Sequence, residues 1–170
     1  MRKGTMTAPP RLCCSVIYRQ RDWCSALLGW AKEIRGRPYV WGDTDCGALV
    51  RTALHLQFGV DVFAGLPGWV TARQAAHVWG RLCREAGGGY GKLFASMGAV
   101  EVRGRKRGRW PMGAILVGRE DAGVLPAFGI YVSPIVVQSD MDNGVQWSDP
   151  RTADALESAW LFERVSCYGR

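Results

Sequence analysis

The residues of this chain best placed to do chemistry surround one cysteine, in the run Gly36-Arg37-Pro38-Tyr39-Val40-Trp41-Gly42-Asp43-Thr44-Asp45-Cys46-Gly47-Ala48-Leu49-Val50. Leu49, Val50, Ala53, Leu54 and Leu56 predict a helix over residues 45–58, with Asp45 capping its start and Gly59 stopping it. Cys46 falls in the first turn, behind a short aromatic strand and a glycine turn. The positive end of a helix dipole and its unpaired amides stabilise a thiolate, so the position suits a nucleophile. A small buried residue at a helix start carries the same signature, and spacing alone leaves both readings open.

A thiol nucleophile needs a base, and amide hydrolysis also needs a proton for the leaving amine. The chain has two histidines, His55 and His77. His55 follows Cys46 by two and a half helical turns, which points it to the opposite side and places it about 13 Å along the axis. It cannot be the partner. His77, on a later predicted helix, stays open as a substitute base or as an ordinary histidine at the boundary of the core.

Three helices and a sheet must position these groups. Trp23, Leu27, Trp30 or Ala31, and Ile34 recur at helical spacing until Arg35-Gly36-Arg37-Pro38 stops them. Ala75, Val78, Trp79, Leu82 and Cys83 predict a helix over 71–86, ended by Gly87-Gly88-Gly89. After Gly98, apolar and β-branched runs at 114–117, 128–132, 135–137 and 159–162 predict antiparallel strands. Asp142-Asn143-Gly144 reads as a tight hairpin turn, while a calcium loop misses its register because Asn143 and Gly144 come one residue early. Helices followed by strands make this an α+β chain, with an arm at residues 1–19, either mobile or docked, and one domain over 20–170.

The pattern P-Y-x-W-G-x-x-D-C-G-x-L-V, with Phe58-Gly59-Val60 at the end of the same helix, resembles the nucleophile segment of the NlpC-type cell-wall endopeptidases, which have a papain-like fold. Leu116-Val117, Phe128-Gly129-Ile130-Tyr131-Val132 and Val136-Val137-Gln138 resemble that family's first core strands, so the likeness spans about residues 21–165. It implies Cys46 as nucleophile, Tyr39 as the aromatic bordering it and Gln138 as the polar group orienting the base. The base position itself, the start of the family's H-x-G-I-Y-V, is Ala127 here. Alanine accepts no proton. The family's Gly-Asp before the preceding strand is also missing, since Trp110-Pro111-Met112-Gly113 leads into Ala114.

The spacing, with the long insert before the sheet, most resembles small members encoded among the tail genes of bacteriophages and gene transfer agents. That resemblance implies a tail-tip or baseplate component of a virion, assembled in a bacterial cytoplasm, whose partners are other tail proteins and whose hydrolase chemistry is lost or impaired. The alternative it implies is an active cysteine hydrolase cutting peptidoglycan cross-peptides during genome delivery.

Composition bounds the remaining options. A length of 170 residues, with 48% hydrophobic and 22% charged, fits one globular domain and argues against disorder. The net charge of +7 favours acidic partners, and much of it comes from Arg103, Arg105, Lys106, Arg107 and Arg109, a loop over 102–110 that ends beside Trp110. That run reads either as a solvated connection or as an anchor on an acidic protein, a nucleic-acid backbone or an anionic envelope. Nucleic acid has only charge behind it. Trp69 and Trp110, in Gly/Pro-rich loops, are the tryptophans best placed for an interface. Cys13, Cys14, Cys24, Cys46, Cys83 and Cys167 show no C-x-x-C spacing, so they read as reduced thiols, with a metal cluster on Cys13, Cys14 and Cys24 as the alternative. No cofactor, signal peptide or membrane span is expected.

Overall fold

A computed structural model describes residues 16–102, 109–118, 127–152 and 156–166. The first helix, α1 (Trp23–Ile34), buries Leu27, Ala31 and Ile34, one stripe at i, i+4 and i+7. Next, α2 (Cys46–Phe58) stops at Gly59, which takes φ +71° and donates its amide to the His55 carbonyl at 2.7 Å. The Thr71 hydroxyl caps α3 (Ala72–Glu85) by accepting from the Gln74 amide at 3.3 Å. A fourth helix, α4 (Tyr90–Ser96), has no counterpart in the sequence reading. The glycine run that ends α3 also launches it. With two turns, no capping side chain and Tyr90, Leu93 and Phe94 as its buried residues, α4 draws its order from packing, since so short a helix is unstable alone.

Six strands form one antiparallel sheet: β2 (Val100–Glu101), β3 (Ile115–Gly118), β4 (Phe128–Val132), β5 (Ile135–Asp140), β6 (Gly144–Ser148) and β7 (Leu156–Leu161). Their spatial order is β2-β7-β3-β4-β5-β6. The chain is therefore α+β, with helices leading and antiparallel strands following. Residues 16–18, placed by the sequence reading in the arm, form β1 (Val16–Tyr18) and pair antiparallel with β8 (Arg164–Ser166) in a separate two-stranded sheet. The expected hairpin joins β5 to β6. Asp140 Oδ1 accepts from the Asp142 and Asn143 amides and from Asn143 Nδ2, so this carboxylate serves the turn itself. Gly144 follows at φ +69°, where a Cβ would collide with the Arg37 carbonyl.

Strand alternation splits the sheet into two faces. Ile115, Val117, Phe128, Ile130, Val132, Val137 and Val145 join the core under the helices. Ala114, Leu116, Tyr131, Val136, Leu156 and Ala159 form a second cluster on the other face. The first face receives α2, whose packing against β4 and β5 brings its N-terminus to the beginning of β4.

Candidate functional site around Cys46

The chain entering α2 is a set of turns, where the sequence reading expected a short aromatic strand. The Val40 carbonyl accepts the amides of Asp43, Thr44 and Asp45 at 3.1, 2.9 and 3.1 Å. The buried Thr44 hydroxyl donates to the Pro38 carbonyl at 2.6 Å and accepts from the Val40 amide at 2.8 Å. This arrangement competes successfully with extended pairing, and only Gly36 and Arg37 reach a strand, exchanging hydrogen bonds with Val145 at 2.8 and 2.9 Å.

Asp45 closes the start of the helix. Its carboxylate, 2% exposed, accepts from the Gly47 amide at 2.9 Å, the Ala48 amide at 3.1 Å, the Gly42 amide, and Trp69 Nε1 at 2.8 Å. Two glycines make this possible. At Gly42, φ +79°, a Cβ would collide with the Trp69 carbonyl, and at Gly47 one would lie 2.6 Å from Trp79 Nε1.

Cys46 begins α2, and its thiol is pushed up to about 11. Burial is the largest cause, and the Asp45 carboxylate adds to it. The amides of Phe128, Gly47 and Cys46 itself pull the other way and do not prevail. The thiol is thus raised where a helix start alone would lower it. Desolvation outweighs the dipole, and the neighbouring carboxylate already occupies the first amides. Tyr39 faces the same spot, its phenol raised by burial and by the nearby Cys46 and Asp45, with its ring edge-on to Trp41 at 5.0 Å between centroids.

The Phe128 amide at the sulfur places the start of β4 beside Cys46. The preceding residue is Ala127, exposed, with its carbonyl accepting the Gly118 amide at 2.7 Å. The family's base position therefore holds a methyl group, one residue before the strand amide that reaches the thiol. Gln138 lies elsewhere. It pairs in register with Gly129 on the face bearing Val136, and its Nε2 donates to Ser148 Oγ at 2.7 Å. Phe128 is on the opposite face, so strand alternation separates Gln138 from the helix side of the sheet.

Neither histidine is near the thiol's side of α2. At about 100° per residue, Cys46 shares a side with Val50, Ala53 and Gln57, whereas Ala48, Arg51, Thr52 and His55 line the far side. There an open groove of about 670 Å³ runs between α2 and the 59–70 connection. Arg51 donates to Asp61 through Nε at 3.0 and 3.1 Å and through Nη2. Burial raises the Asp61 pKa, but the Arg51 and Phe63 hydrogen bonds outweigh it and hold the carboxyl below its ordinary value. His77 is exposed on α3, beside a separate groove with Arg73 and Gln74.

Two aromatic anchors expected at an interface have inward tasks. Trp69 is 5% exposed and bound to Asp45, so it is a structural clamp; nothing in a Gly/Pro-rich loop reveals such a partner 24 residues away. Trp110 is half-buried, edge-on to Tyr131 at 5.8 Å, over the second face of the sheet. Arg109 beside it is exposed, while Arg103, Arg105, Lys106 and Arg107 lie outside the described residues. So do Cys13, Cys14 and Cys167; Cys24 is exposed on α1. Among the described residues no group of three His, Cys, Asp or Glu side chains could hold a metal ion, and no helix is long and apolar enough to cross a membrane.

Fold and site together define an α+β domain in which a half-buried thiol at a helix start meets the first amide of a central strand. The family model of a domain of unknown function, DUF6950, matches residues 18–160, and the chain belongs to that family. No curated protein matches it.

Proposed function

We propose that this chain is a papain-like, NlpC-type domain that has lost its hydrolase chemistry and works by binding neighbouring proteins in the tail of a phage-like particle. One observation carries the loss of chemistry: the Phe128 amide reaches the Cys46 sulfur, and the residue before it, at the expected base position, is Ala127. At that sequence position a methyl group stands where the family's imidazole would take the thiol proton, and the thiol itself is pushed up to about 11. Gln138, engaged with Ser148, has no base to orient. The tail assignment rests on the likeness of the Cys46 segment and the long insert to tail-encoded members of that family, and the basic run ending at Arg109 is the proposed anchor on an acidic neighbour.

Digestion of cross-linked muropeptides by wild type and Cys46→Ala tests the chemistry. Equal, background-level release is the expected result; release by wild type that disappears in the variant would establish the hydrolase instead. For the anchor, a charge-reversed Arg103/Arg105/Arg107 variant is expected to be depleted from assembled particles. Normal incorporation would exclude it.

A further inference from the structure

Both histidines of this chain follow an arginine by four residues around an inward alanine: Arg51-Thr52-Ala53-Leu54-His55 on α2 and Arg73-Gln74-Ala75-Ala76-His77 on α3. Ala53 and Ala75 are buried, so helical pitch turns each Arg–His pair outward. Each pair lines a groove, one of about 670 Å³ beside α2 and one of about 340 Å³ between α3 and Pro67-Gly68, and Gly68 lines both. Their charges differ. On the α2 side Asp61 takes the Arg51 guanidinium, and the other carboxylate of that groove, Asp43, is held by Arg37 at 3.0 Å. On the α3 side no carboxylate lines the groove, and the ion pairs of the described residues leave Arg73 and His77 out. The next basic residue on that stripe, Arg81, is paired with Glu85 at 3.4 Å.

Arg73 also works against its own helix. It is the second residue of α3, whose first turn holds no acidic side chain, so its charge opposes the positive end of the dipole. A cation kept against a local rule, with no carboxylate beside it, marks a place for an acceptor from outside. Gln74 adds a donor: its Oε1 accepts the Val70 amide at 2.8 Å, which ties the 67–70 wall to α3 and leaves Nε2 for a ligand. Val70 itself is 73% exposed and gives that wall an apolar surface. We propose that Arg73, Gln74 and His77 form a docking groove for an acidic segment of a partner protein, whose carboxylate takes the Arg73 guanidinium while its neighbouring apolar residues cover Val70. Charge complementarity carries this choice, and the meeting of the two grooves at Gly68 gives an extended segment room to continue. The inference is independent of the chemistry at Cys46 and does not require the partner to belong to a tail.

The test is an NMR titration of the isotope-labelled full chain with an end-blocked hexapeptide alternating Glu and Val, compared with the matching Gln and Val peptide, inorganic phosphate and a thymidine oligonucleotide. Saturable shifts of the amides of Gly68 and residues 73–78 are expected with the acidic peptide. Arg73→Gln should weaken its binding about tenfold, the worth of one charge-assisted hydrogen bond. Gly68→Leu should also weaken it without changing any charge, because a Cβ added there meets nothing within 4 Å and the side chain stands where both grooves open. Arg81→Gln is expected to bind as wild type does, and the amide spectrum of each variant reports its fold. The proposal is overturned if the acidic peptide leaves these amides unmoved or binds no better than the Gln and Val peptide, or if Arg81→Gln weakens binding as far as Arg73→Gln. It is equally overturned if phosphate or the oligonucleotide shifts the same amides at lower concentration than the peptide, which would make the groove a phosphate site. Muropeptide release by wild type would overturn the proposed function and leave the titration result to stand by itself.

Discussion

The two faces of α2 meet different surroundings. On the inner face Cys46, Val50, Ala53 and Gln57 are packed against the sheet, and the carboxylate at the helix start has every nearby donor turned onto it. On the outer face Arg51, Thr52 and His55 look into an open groove, and the ion pair there is about one-third exposed. Reactive side-chain types occur on both. The face that carries the motif is packed against the sheet, while the other face presents Arg51, Thr52 and His55 to an open groove. Side-chain type alone therefore does not set reactivity, which follows from solvation and from what already occupies the local donors.

The strongest way to break this contrast is Asp45→Ala, which leaves buried amides and an indole without an acceptor. A loss of about 4 kcal/mol is expected in urea unfolding, from a lost cap and several unpaired donors. A loss under 1 kcal/mol would mean that the inner face is less closed than its hydrogen bonds indicate. Next, wild-type Cys46 should label about a hundredfold more slowly at pH 8 than a thiol with the ordinary pKa of 9.0, since its own is about 11. Labelling of Cys46 as fast as that of exposed Cys24 would contradict this.

Gly42→Ala probes the same closure from the backbone. It forces a Cβ at φ +79° onto the Trp69 carbonyl, and about 2 kcal/mol of destabilisation is expected in thermal or urea unfolding. The smallest effect belongs to the outer face. Arg51→Ala should cost less than about 1 kcal/mol near neutral pH because the pair is partly solvated. Asp61 has a folded pKa below its ordinary 3.8, so the pair's contribution is complete above that value and is lost as pH falls through the folded pKa. Urea midpoints measured from pH 6 downward should fall more steeply for wild type than for Arg51→Ala. Parallel curves would show that the pair contributes nothing to stability.

Much of the fold was legible because local rules and tertiary packing agree. The stripes Leu27, Ala31, Ile34 and Ala75, Val78, Trp79, Leu82 face the core as their spacing predicts. The Asp45 and Gly59 ends of α2 are in place, and the hairpin closes at Asn143-Gly144. What local rules missed has a common cause. Two-turn α4, two-residue β2 and the β1–β8 pair are too short to show a period, and they exist because distant segments supply their partners. Residues 39–41 are not a strand although Tyr39, Val40 and Trp41 favour one, because the Thr44 hydroxyl and the Val40 carbonyl fold the chain into the turn over 41–44.

The sequence by itself determined that a cysteine opens a capped helix, that alanine stands at residue 127, and that His55 is placed away from the cysteine, because identity, spacing and helical pitch are local properties. Only the tertiary structure decided the state of the thiol. Helix-start physics predicts a lowered pKa; burial beneath the sheet and a carboxylate clamped by Trp69, 24 residues away, raise it instead. Desolvation depends on everything that packs around a group, and that surrounding is assembled from segments whose proximity no local pattern records.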